Sequence, residues 1–141
     1  MKVNNYPLKT PSAGDKLFGS DSNGDQKQFD VSNFDASTYK KYVALISQTG
    51  TSAPTATVLE NTLGGTIVWT RTAAGAYIGT LTGAFTNNKT FLLMGTIPYL
   101  NNPAYILDRS SDNTVYIQAS VNNIQSDNLL SNTSIEIRVY N

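Results

Sequence analysis

An all-β fold, an antiparallel β-sandwich of about eight strands with jelly-roll-like connections, is what this sequence predicts. Three observations carry that expectation. Residues 65–83 (GTIVWTRTAAGAYIGTLTG) alternate in period two on both sides of a short turn at Ala73-Ala74-Gly75. The rest of the chain beyond residue 42 consists of further short runs punctuated by Gly, Pro and Asn. Nothing longer than residues 33–41 reads as helix.

Taken in order, the chain begins irregularly, because Pro7, Pro11 and Gly14 favour an extended lead. Asn23-Gly24 then marks a two-residue hairpin turn. It sets Leu17 and Phe18 on one arm and Phe29 and Val31 on the other. Asp30 or Ser32 can cap a short helical turn over residues 33–41, with Phe34 facing inward. A hairpin this small is marginal by itself in water and needs a surface to lie against.

The first sandwich strand falls at residues 42–48 and the second at 55–60. The hairpin over 65–83 supplies two more, with Trp69, the single tryptophan, as an inter-sheet anchor. Residues 89–96 (KTFLLMGT) are continuously apolar and read as a strand buried on both faces. A short strand at 104–108 follows the turn-rich stretch 98–103. Over 113–121, Val115, Ile117, Ala119 and Val121 alternate inward against Tyr116, Gln118 and Ser120. Residues 134–141 repeat the pattern, with Ile135, Ile137 and Val139 against Glu136, Arg138 and Tyr140. A terminal strand is either sewn into its sheet or left as an edge that invites another chain.

Composition breaks near residue 40. The first 41 residues carry Lys2, Lys9, Lys16, Lys27, Lys40 and Lys41, five aspartates and few apolar side chains. That predicts an N-terminal attachment arm over residues 1–41 and a β-sandwich domain over 42–141. Ten basic and ten acidic residues cancel, so no electrostatic footprint for nucleic acid or an anionic membrane is expected. No apolar run approaches membrane-spanning length, and the N-terminus lacks a signal-peptide core. The expectation is a soluble protein made in a cytoplasm, without membrane insertion. Only 14 % of residues are charged, against roughly 25 % for an ordinary domain. Low charge with eight tyrosines fits a surface partly buried between subunits.

The chemistry these residues exclude is extensive. With no histidine and no cysteine, Ser-His-Asp and Cys-His nucleophiles are ruled out, as are His/Cys zinc sites and disulfides. Glu60 and Glu136 are the only glutamates, and the acids are too scattered to point to a carboxylate pair. Asp21-Ser22-Asn23-Gly24-Asp25 superficially resembles a calcium loop, but an EF-hand needs its glycine at the sixth position and a glutamate at the twelfth. No catalytic residue, metal or cofactor is expected.

The stretch PLKTPSAGDKLFGSDSNGDQKQFDVSNF resembles the N-terminal segments of bacteriophage fibre and virion-appendage proteins. The matching pieces are Gly14-Asp15, Gly19-Ser20-Asp21, Asn23-Gly24, Lys27-Gln28-Phe29 and Val31-Ser32-Asn33-Phe34. The remainder looks like the compact β-domains joined to such segments. The resemblance implies a virion structural protein, a head fibre or capsid decoration rather than a full tail fibre. Its arm would dock on a capsid or other virion protein, and its β-domain would project, commonly as a homotrimer. On that reading Leu17, Phe18, Phe29, Val31 and Phe34 are the docking candidates. Tyr99, Tyr105, Tyr116 and Tyr140 are candidates for subunit contact or for a host-surface glycan. The rival expectations are an adhesin-type carbohydrate-binding module and a small hydrolase working through scattered carboxylates.

Overall fold

Alternating side chains turn into two-faced strands throughout this protein. The structure, a computed structural model, describes residues 16–20, 22–30, 38–95 and 103–141. Among them every helix or strand is a strand. The chain divides into two units, Met1–Ser37 and Thr38–Asn141.

In the first unit β1 (Lys16–Ser20) pairs antiparallel with β2 (Gln26–Asp30), Ser20 opposite Gln26 and Lys16 opposite Asp30. The connection therefore spans residues 21–25 and is not the two-residue Asn-Gly turn expected from sequence. A two-residue type I′ turn needs positive φ at both central residues. Gly24 has it at +86°, and Asn23 does not. The Gln26 side-chain amide donates to Ser20 Oγ at 3.1 Å and closes the longer loop.

The second unit contains β3 (Tyr39–Ser47), β4 (Thr55–Asn61), β5 (Val68–Ala73), β6 (Ala76–Thr80), β7 (Thr90–Met94), β8 (Pro103–Ser111), β9 (Thr114–Val121), β10 (Ile124–Gln125) and β11 (Thr133–Tyr140). One sheet runs β4-β3-β11-β7. In the other, β5, β6 and β9 are consecutive, β8 lies along β9, and β10 folds back on its end. All pairs are antiparallel. Tyr42, Ala44 and Ile46 of β3 and Ile135, Ile137 and Val139 of β11 form one buried cluster with Trp69, Tyr77, Val115, Ile117 and Ala119 of the facing sheet. Each large apolar side chain fully withdrawn from water there stabilises the fold by about 1.5–3 kcal/mol. The fold is the antiparallel β-sandwich the alternation predicts, and Trp69 is in its core.

Several elements differ from expectation, each for a physical reason. Residues 39–41, read as the end of a helical turn, open β3, because Tyr39, Lys40 and Lys41 pair with Tyr140, Val139 and Arg138 at the far end of the chain. Residues 33–37 of that turn lie outside the described residues. The apolar run in β7 is not buried on both faces. Leu92 and Met94 pack on the core, whereas Phe91 and Leu93 point outward and are 46 % and 53 % exposed. Strand β8 is nine residues long, because Tyr105 and Leu107 continue the inward alternation into the polar tail and Arg109 donates to the Phe85 carbonyl. β11 is sewn in, between β3 and β7.

The abundance of asparagine has a local cause. Asn88, Asn122, Asn123, Asn128 and Asn132 all adopt positive φ, a conformation that asparagine tolerates better than most residues. Part of the uncharged polarity is therefore turn chemistry and not a sign of assembly.

Candidate functional site

The most distinctive surface is the outer face of the β4-β3-β11-β7 sheet. Register places its side chains in rows across the strands. Leu93, Glu136, Val43 and Glu60 form one row; Ser134, Leu45 and Thr57 form the next, with Gly95 N–H donating to the Ser134 carbonyl at its end. A third row begins Phe91, Arg138, Lys41. An open groove of about 370 Å³ runs beside Val43, Leu93, Gly95, Ser134 and Glu136. It exists partly because Gly95 has no side chain: a Cβ there would overlap Ser134 Oγ.

The charges on this face are paired within it. Arg138 Nε donates to Glu136 Oε1 at 2.6 Å, two residues away on the same side of one strand. Lys41 Nζ lies 2.9 Å from Glu60 Oε2. Arg138 holds the Glu136 carboxyl below the ordinary carboxylate range, and Glu60 raises the Lys41 ammonium. The Arg138 guanidinium also stacks over two rings, 5.2 Å from the centre of Tyr39 and 5.7 Å from that of Phe91. Tyr39 in turn meets Tyr140 with ring centres 5.2 Å apart. One end of the face is thus an arginine held among aromatic rings, a composition enriched at binding hot spots.

A second polar cluster holds the other end of the sandwich together. Arg71 clamps Asp127 with both Nε and Nη2, at 3.0 and 2.7 Å to the two carboxylate oxygens. Gly75 N–H donates to Asp127 Oδ1 at 3.1 Å. The Tyr77 hydroxyl lies 3.0 Å from both Asp127 Oδ1 and Gln48 Oε1, and its one proton serves one of them at a time. Burial pushes the Tyr77 phenol well up, and the Arg71 hydrogen bond holds Asp127 down to about 2. These groups satisfy one another across β3, β5, β6 and the loop before β11. The arrangement braces the fold and leaves no carboxylate free for acid-base work there. Among the described residues no group of three or more Asp or Glu is placed to hold a metal ion.

The residues singled out from sequence are dispersed. Phe18 is 76 % exposed on β1. Leu17 and Phe29 are paired positions in the β1–β2 backbone register, while Val31, Phe34 and Tyr99 lie outside the described residues. Tyr105 is half-buried, its hydroxyl donating to the Leu129 carbonyl at 2.9 Å, so it is an anchor of the fold and not an open contact. Tyr116 is half-buried on the outer face of the other sheet, beside a shallow groove it shares with Thr72, Ser110 and Gln118. Tyr140 alone joins the arginine-aromatic cluster. Phe91, Leu93, Arg138 and Tyr39 were not anticipated as site residues. The available signal was the alternation hidden in KTFLLMGT, which puts every second residue outside.

No protein-family model, no curated protein and no solved structure matches the chain.

Proposed function

We propose that this chain is a structural protein of a virus particle, a head fibre or capsid decoration. Its N-terminal arm docks on a capsid or other virion protein, and its β-domain projects as a homo-oligomer, a trimer by the resemblance. The observation that carries this reading is the first unit itself. Its described residues form a two-stranded hairpin with five-residue strands, carrying Phe18 at 76 % exposure. Such a hairpin is marginal in water, and an aromatic ring on it gains most by being covered. The phage-like motifs fall on the same segment. A sandwich whose ion pairs are structural, with neither histidine nor cysteine in the chain, suits a scaffold role better than catalysis.

The arm provides the test. Deleting residues 1–37 is expected to leave a folded β-domain, with a β-sheet far-ultraviolet circular dichroism spectrum and a cooperative unfolding transition, that no longer co-sediments with particles. Normal incorporation of the truncated chain contradicts the docking role.

One observation favours a second reading, a glycan-binding adhesin. Tyr116, with Thr72, Ser110 and Gln118 around it, offers a ring beside hydrogen-bonding groups. Glycan binding lost in Tyr116→Ala would favour it.

A further inference from the structure

We propose that the outer face of the β4-β3-β11-β7 sheet is covered by a second copy of this chain. The inference does not depend on the particle assignment, since it rests on the face alone.

Size is the first argument. β3 has nine residues and β11 eight. At about 3.3 Å per residue and 4.8 Å between strands, the face measures roughly 26 by 19 Å. With β4 at seven residues and β7 at five, that is roughly 460 Å² in plan and more once side-chain relief is counted, over half of the roughly 800 Å² per partner of a stable interface.

Charge selects the occupant. Lys41, Glu60, Glu136 and Arg138 sum to zero and are already paired in two bridges. The face therefore does not repel its own copy, and it offers nothing to attract a strongly acidic or basic macromolecule. Burying it brings no unpaired charge out of water.

Anchoring is the third argument. Phe91 and Leu93 stand outward at 46 % and 53 % exposure, and the Arg138 guanidinium is fixed over Phe91 by its bridge to Glu136. Side chains already held in place lose little freedom on association. Ring, arginine and leucine together form a small patch of the composition that carries binding energy.

The test uses the full chain and light scattering coupled to size exclusion, from about 1 to 100 μM, a range chosen to bracket micromolar association. Wild type is expected to reach the mass of two or more chains. Leu93→Lys is expected to run as one chain with its circular dichroism intact, and Gln118→Lys on the other sheet to keep the wild-type mass. A wild type that stays monomeric throughout overturns the proposal, as does an assembly that a folded Leu93→Lys leaves unchanged. Hydroxyl-radical footprinting of wild type decides the matter without a variant, should Leu93→Lys fail to fold. Labelling of Phe91 and Leu93 should fall several-fold as the mass rises, while that of Ile106 stays constant. Assembly through the arm or another surface would leave Phe91 and Leu93 labelling constant, and the proposal would be wrong.

Discussion

Gly75→Ala is expected to lose at least about 3 kcal/mol of unfolding free energy, against about 1 kcal/mol for Gly83→Ala. Both glycines sit at positive φ, +64° and +67°, so both variants carry the same left-handed strain. Only Gly75 is crowded. A Cβ there would overlap the Ala119 carbonyl oxygen and lie 2.6 Å from Ser126 N, whereas at Gly83 it meets nothing within 4 Å. The crowding atoms are backbone, and they are engaged: Ala119 N–H donates to Gly75 O at 2.8 Å and Ser126 N–H to Ala119 O at 3.0 Å. Relief would mean pulling the β5–β6 turn away from β9 and breaking the Gly75–Asp127 bond as well. Urea denaturation of the two variants measures the difference. Equal losses would mean that the turn shifts aside cheaply.

Asp127→Ala is expected to cost about 2–3 kcal/mol at pH 7. It leaves the Arg71 guanidinium, 22 % exposed in its side chain, without its bidentate acceptor and the Gly75 N–H without a partner. The same carboxylate gives the wild type a defined acid sensitivity. Its pKa falls from 3.8 to about 2 on folding, chiefly through the Arg71 hydrogen bond. A depressed carboxyl stabilises the fold fully above its unfolded pKa, and that contribution disappears as pH falls through the folded value. Wild type should therefore lose about 1–2 kcal/mol from this group between pH 4 and pH 2, after allowing for solvent screening. Asp127→Asn should be flatter over that interval. Chemical denaturation at pH 7, 4 and 2 gives both numbers, and parallel curves for the two proteins would sink the assignment.

Local pattern made much of the sandwich legible. In β9 and β11 one side of the alternation is core, and the structure places Ile117 and Ile137 there. Trp69 followed from the same rule. What escaped were features set by distant partners. Tyr39–Lys41 become strand only because Arg138–Tyr140 lie alongside, nearly a hundred positions away. Asp127 lay in a Ser-Asp-Asn stretch that reads as loop, and its partner Arg71 is 56 residues distant. β7 escaped for a different reason. Where both faces of a strand are apolar, periodicity cannot separate burial inside the domain from exposure awaiting a partner. Phe91 and Leu93 are that case, and they lie on the surface proposed for self-association.

The most direct test of the particle assignment is to separate particles on a density gradient and quantify the full chain in the particle band. The account predicts that the chain co-bands in a fixed ratio to the main capsid protein and survives a salt wash. A chain found only in the soluble fraction, with particles free of it, would contradict the account.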